Sequence, residues 1–406
     1  MDRVSSLPDE LLYQILFLLP TKDAAVTSLK LRSEHCVDWW WYGGLMSYPF
    51  SLPMLKSLDI DSDLIFCGEI EEFIPYFPVL EDLRMANMEW GEPDVTVSSA
   101  SLRKLSLHGT GCEDFVNPKT VSFDTPNLLF LSYYDLVAED YPLVNMEKLV
   151  HASISLIVTD DQVTRLREPN NNLLEDVENN NDGDVVLQFG NVVKLLNGLQ
   201  NVQKLSFNAD TLEVLSQCCD SMPVFNNLKF LGVTSEEGRG WQAMPALLRN
   251  CPHLETIILQ GLIHCVTDNC GDACPCISRE DKGLSLKSCP VNRLEIQGFR
   301  ATMKEMAMIK HFLDYFLCLK RLDVYIEDNE PTQLRNRELS DCVLEMFELY
   351  NKLSPSCNVQ LLVSDYLDKK WTAQGHHIYV TLQQLQATMS TLFSIIALDD
   401  HLRQNL

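Results

Sequence analysis

The residues best suited to chemistry are sulfur ligands gathered past the middle of the chain: Cys265, Cys270, Cys274, Cys276 and Cys289, with His264 beside the first. Thiolates and imidazoles are natural zinc ligands, but structural zinc sites take them from paired C-x2-C knuckles. Here the spacing is C-x4-C-x3-C-x-C, and Pro275 between two thiols restricts their convergence. The cluster reads as a loop with free thiols, holding no metal and no cofactor. Nucleophile elbows, phosphate loops, zincin helices and dinucleotide fingerprints do not occur in the text. The adjacent pairs His376-His377 and Cys218-Cys219 fit surface and core better than ligands or nucleophiles, so no catalytic residue is assigned.

Function then falls to binding, and the elements that would position a binding face are repeats. The spacing L-x-x-L-x-L recurs from Leu55, Leu80, Leu102, Leu128, Leu149, Val202, Leu228, Leu254, Val291 and Leu319. Most steps between copies match the roughly 20–29 residues of a leucine-rich repeat. Of the two longer steps, one contains the Asn-rich acidic segment 168–184, read as a disordered loop, and the other contains the cysteines. Several copies are entered through a proline, as at Pro78, Pro126, Pro252 and Pro290, where the missing N–H costs no ladder bond. The fold class expected is α/β, a solenoid of short strands, each followed by a return segment packed on the next repeat.

Along each strand the third, fifth and seventh motif positions alternate away from the core leucines and line an inner face. Its apolar and aromatic members, Phe130, Tyr134, Phe230, Ile258 and Tyr325, are the candidate substrate anchors. The same positions carry five basic residues (Arg84, Lys104, Lys204, Arg293, Arg321) and five acidic ones (Asp59, Asp61, Asp82, Glu295, Asp323). The basic residues are scattered over distant repeats, which argues against a pocket for an anionic small molecule. A formal charge of −25 therefore belongs mostly to loops and return segments such as 69–72 and 175–184, as solubilising charge. Such a surface repels phosphate backbones and anionic membranes, so no nucleic-acid or membrane partner is expected. With no secretory signal, no long apolar run and dispersed cysteines, the expected compartment is cytoplasm and/or nucleus.

The N-terminal text differs. Ser6 and Asp9 have capping-box spacing, Pro8 suits a first helical turn, and Leu11, Leu12, Ile15, Leu16 and Leu19 recur at helical spacing before Pro20. Thr21 is placed to cap a second short helix reaching Leu29. The string Leu7-Pro8-Asp9-Glu10-Leu11-Leu12 through Leu18-Leu19-Pro20-Thr21 resembles the F-box, whose helices dock on the Skp-type adaptor of a cullin-RING ubiquitin ligase. The resemblance implies that Leu7, Pro8, Leu11, Leu12, Ile15, Leu16, Leu19 and Pro20 form adaptor-facing and core surface. Past Leu29 the chain departs from the family's third-helix string, reading Lys30-Leu31-Arg32-Ser33, and Trp39 to Trp41 are expected to cover the first repeat.

Beyond Cys289, the text Cys289-Pro290-Val291, Gly298-Phe299-Arg300 and Cys357-Asn358-Val359 is similar to the FBD domain of plant F-box proteins. Periodicity independently predicts helices over 303–316 and 339–353 between strands at 291–296, 322–326 and 359–363, an αβ cap. The organisation expected is residues 1–42 as F-box-like helices with an atypical third, 50–288 as repeats, 289–363 as the FBD region and 364–406 as a tail without assigned role. The resemblance implies a non-enzymatic substrate-recognition subunit of an SCF-type E3 ligase, its partners a Skp-type adaptor with its cullin complex and a protein substrate. The alternatives are an interaction module that has lost ligase coupling and a small-molecule receptor on the concave repeat face.

Overall fold

The computed structural model describes residues 26–33, 37–38, 52–67, 70–112, 116–167, 189–235, 239, 241–262, 270–276, 280–326 and 337–362. The chain divides into two compact units, the first holding residues 1–150 and 154–199, the second residues 151–153 and 200–406.

The first unit is a stack of parallel strands. In chain order it contains β1 (Ser28–Ser33), β2 (Val37–Asp38), β3 (Ser57–Cys67), α1 (Ile70–Phe73), β4 (Asp82–Trp90), β5 (Asp94–Ser98) and β6 (Lys104–Cys112). There follow β7 (Thr120–Asp124), β8 (Phe130–Leu136), β9 (Val144–Asn145), most of β10 (His151–Ile157), α2 (Asp160–Arg167) and α3 (Val192–Gly198). The main sheet runs β1-β3-β4-β6-β8-β10, with β2 beside β3. Leu55, Leu58, Ile60, Leu80, Leu83, Met85, Leu102, Leu105, Leu107, Leu128, Leu131 and Tyr133, the first, fourth and sixth motif positions, are all buried. Each fully buried leucine stabilises by about 2 kcal/mol over an exposed one, so the repeat is also the core.

The return segments between β4 and β10 are extended as well. β5, β7 and β9 form a second parallel sheet. Its text alternates as Asp94-Val95-Thr96-Val97-Ser98 and Thr120-Val121-Ser122-Phe123-Asp124, and the apolar members Val95, Val97, Val121 and Phe123 are buried. Period-two alternation with β-branched residues is the strand signal, and it wins here.

The second unit holds β11 (Lys204–Phe207), α4 (Ala209–Ser216), β12 (Phe230–Thr234), α5 (Met244–Arg249), β13 (Thr256–Gln260) and α6 (Leu284–Ser288). It continues with β14 (Arg293–Phe299), α7 (Met303–Tyr315), β15 (Arg321–Ile326), α8 (Arg337–Leu353) and β16 (Asn358–Leu362). The six strands are parallel and lie in sequence order. Here the returns are mainly helical. Asn208 caps α4 by accepting from the Thr211 N–H, and Thr302 with Glu305 closes a full capping box at α7. From β14 to β16, the strands and helices fall where periodicity placed them.

All ten motif copies lie on or lead into strands of the main stacks. One copy escaped the sequence reading. Val26-x-x-Leu29-x-Leu31 has the same spacing, and β1 pairs with β3 in register, Leu29 opposite Leu58 and Leu31 opposite Ile60. The helix expected to reach Leu29 is therefore corrected: by Ser28 the chain is a strand, because a parallel neighbour with the matching leucine pattern is there to pair with. Residues 1–25, Trp39 to Trp41, the acidic segment 168–184 and the tail 364–406 lie outside the described residues. No helix among the described residues is long and apolar enough to cross a membrane.

Candidate recognition surface

Register places the inner-face residues in rows across the strands. In the first unit one row runs Ser28, Ser57, Asp82, Lys104, Phe130, and the next runs Lys30, Asp59, Arg84, Ser106, Ser132. Opposite charges on neighbouring strands pair along it. Lys30 lies 3.1 Å from Asp59, Arg84 lies 2.8 Å from Asp59 and 3.7 Å from Asp61, and Lys104 lies 3.4 Å from Asp82. Burial alone would raise the Asp59 pKa, but hydrogen bonds from Arg84 and Lys30 outweigh it and hold the carboxyl below its ordinary value.

Toward β6 and β8 the face turns aromatic. The Lys104 ammonium sits 5.9 Å from the centre of the Phe130 ring, and His108 packs on Tyr134 at 5.8 Å. Phe130 is half-buried and Tyr134 is exposed, so both candidate anchors of this unit reach solvent.

The second unit repeats the device. Lys204 lies over Phe230 at 5.1 Å, on strands paired in register as Lys104 and Phe130 are. The row continues through Thr256, Arg293, Arg321 and Asn358. Arg293 and Arg321, remote in sequence, are thus direct register partners, which corrects their reading as scattered. Beneath them lie the acids. Arg293 donates to Glu295 at 3.3 Å and to Asp323 at 3.2 Å, and Arg321 donates through Nε to Asp323 at 2.7 Å. The Asp323 side chain is 0% exposed and that of Glu295 3%, against 30% for Arg293 and 35% for Arg321.

Burial raises the Glu295 pKa, more than the Gln297 hydrogen bond and the arginines lower it. Along the outer row Thr234 donates to Gln260 at 3.0 Å, Gln260 to Gln297 at 3.5 Å, and Gln297 to Glu295 at 3.0 Å. Of this unit's candidate anchors, Phe230 and Tyr325 are half-buried, while Ile258 is only 6% exposed and offers little surface.

Sequence reasoning missed one polar node. Asp135, fully buried at the end of β8, accepts from Trp90 Nε1 at 2.6 Å and from the Gly111 and Leu136 N–H groups at 2.8 Å each. A Cβ on Gly109 would stand 2.5 Å from this carboxylate, so only glycine leaves it room. Burial pushes the Asp135 pKa up to about 6 against the pull of these donors. Apart from its neighbour Leu136, these partners lie 24 and 45 residues away, and nothing local in the text signals them.

Among the described residues the cysteines form no ligand set. Cys265 and His264 lie outside the described residues. Cys270, Cys274 and Cys289 are buried, and the Cys276 N–H donates to the Cys274 sulfur at 3.2 Å. A hydrogen bond with Cys270, then burial, hold the Cys274 thiol protonated, and burial pushes Cys289 up to about 11. No group of three or more potential ligands suited to a metal occurs among the described residues. The proposed adaptor-facing residues Leu7, Pro8, Leu11, Leu12, Ile15, Leu16, Leu19 and Pro20 also lie outside them.

No family model matches the chain. Individual proteins of Arabidopsis thaliana do. An F-box/LRR-repeat protein is 61% identical over 90% of this chain and 73% of its own length. A second F-box/LRR-repeat protein is 59% identical over 76% of this chain, which spans 43% of that protein. An FBD domain-containing protein is 60% identical over 57% of this chain and 99% of itself.

Proposed function

The chain belongs to the plant F-box/FBD/leucine-rich-repeat family, and from that membership we propose that it is the substrate-recognition subunit of an SCF-type E3 ubiquitin ligase. The observation that carries this reading is the 61% identity to an F-box/LRR-repeat protein along nine-tenths of the chain. Leu7, Pro8, Leu11, Leu12, Ile15, Leu16, Leu19 and Pro20 would contact the Skp-type adaptor and its cullin complex, and the inner faces with Phe130, Tyr134, Phe230 and Tyr325 would hold a protein substrate. Residues 289–363 would act as the FBD cap. The subunit itself would be non-catalytic and would act in the cytoplasm and/or nucleus. Its mechanism is proximity: holding substrate beside a charged conjugating enzyme replaces a bimolecular encounter by an effectively intramolecular one.

Co-purification of the full chain with a Skp-type adaptor tests this. A stable complex that is lost in the variant Leu11→Asp/Leu12→Asp supports it; no complex at micromolar concentration sinks it. One observation favours a second reading, an interaction module uncoupled from the ligase: residues 28–33, where the family's third helix would follow, form β1. Retention of substrate without adaptor binding would select that reading.

A further inference from the structure

Counted by sequence, the inner-face charges cancel; sorted by burial in the second unit, they separate. The basic members of that face are Lys204, Arg293 and Arg321, and the acidic members are Glu295 and Asp323. Both acids are buried, whereas both arginine side chains keep about a third of their surface in solvent. The acids therefore act from below. Each fixes a guanidinium by one edge, leaving further N–H groups directed away from the contact, as a planar five-donor fork allows. Arg293 Nε is a buried donor with no acceptor. Lys204 has no ion-pair partner among the described residues and is held over Phe230 instead. Arg84 in the first unit differs, because its partners Asp59 and Asp61 are themselves partly exposed and compete for its outer donors.

The row thus offers a cation and an aromatic ring on neighbouring strands, Lys204 and Phe230, then, past the buried Thr256, two arginines, Arg293 and Arg321. We infer that this face binds an extended acidic segment of the partner protein, laid across the strands, with Arg293 and Arg321 taking carboxylates and Phe230 taking an apolar side chain. Charge complementarity selects this occupant: the donors left exposed on this face are cationic, while its acids are buried. The inference rests on the recognition role proposed above and specifies the chemistry of the substrate.

Fluorescence anisotropy on the full chain, with no adaptor present, tests it. The probe is a labelled short peptide of alternating glutamate and leucine, compared with its glutamine counterpart at low and high salt. The glutamate peptide should bind, weaken as salt rises, and lose about tenfold in affinity in the paired variant Arg321→Gln/Asp323→Asn. That pair removes the buried acid together with Arg321, and Arg293 keeps its bond to Glu295, so no buried charge is stranded if the single variant misfolds. Lys204→Glu, which breaks no ion pair, should weaken binding in the same direction, and Lys310→Gln on the return helix α7, off the inner face, should leave it unchanged. Equal binding of the glutamine peptide, or indifference to both inner-face variants, overturns the inference. Displacement of the peptide by inorganic phosphate at equal concentration also overturns it, assigning the site to phosphate. The adaptor experiment reads residues 7–20 and needs no peptide, so either reading can fail while the other stands.

Discussion

From β4 to β10 in the first unit the chain returns from one inner strand to the next through further strands, and in the second unit it returns mainly through helices. The inner strands are alike in both, because the same L-x-x-L-x-L spacing sets them. What differs is the period of the return text. Val95, Val97, Val121 and Phe123 alternate, whereas Leu212 and Leu215 in α4, or Met306, Ile309 and Phe312 in α7, recur at three residues. A repeat's inner and outer layers are therefore specified by separate signals, and one does not constrain the other.

The inner faces differ in a second respect. Ion pairs of the first unit join neighbours of comparable exposure, while those of the second place acids under arginines. Equal counts of charge thus give solvent two different surfaces.

The largest expected effect tests whether the outer strands are as much core as the outer helices. Phe123, fully buried and edge-on to Tyr133 at 5.4 Å, matches Phe312 in α7, which is 2% exposed and stacks on Trp241 at 6.4 Å. Phe123→Ala and Phe312→Ala should each cost about 3–5 kcal/mol in urea unfolding. A cost below about 1 kcal/mol for Phe123→Ala would break the equivalence.

Next in size is pH. Asp135 has a folded pKa of about 6, above its ordinary 3.8, so its contribution is fully present at low pH. Between pH 4 and 6 the unfolded chain ionises first, and about 3 kcal/mol of that contribution is lost, with no further change above. The stability of the native chain minus that of Asp135→Asn should fall across this window; a flat difference would show the node to be solvated.

Thr302→Ala removes the capping box of α7 and should cost about 1 kcal/mol by thermal unfolding, an effect with no counterpart in the strand returns of the first unit. The smallest change is Lys310→Ala. Its bond to Asp314 at 2.7 Å is half-exposed and one turn apart, worth about 0.3 kcal/mol, which high salt should erase.

Much of this was legible because burial follows a fixed spacing. Leu58, Leu83, Leu105 and Leu131 announce their strands by type and interval alone, and Met306, Ile309 and Phe312 announce their helix. β1 was hidden because Val26, Leu29 and Leu31 sit where the preceding helical text sets a different expectation, and only pairing with β3 decides the conformation. The strands β5 and β7 carry a visible alternation, yet over five residues it is too short to show what conformation a return segment takes. Asp135 stayed hidden for a different reason. A carboxylate's partners are set by tertiary distance, and Trp90 is 45 residues away. Arg293 and Arg321 looked scattered until register turned a separation of one repeat into adjacency on neighbouring strands.

The strand order of the second unit carries a further consequence. Each of β11 to β16 pairs with the strand that immediately precedes or follows it in the chain. A strand leaving the ribosome therefore finds its template already made, and the segment still to be synthesised is never needed to hold it. The same adjacency means that a duplicated or deleted repeat rewires nothing, so the gene can lengthen or shorten this face one strand at a time, altering what it grips while keeping how it folds.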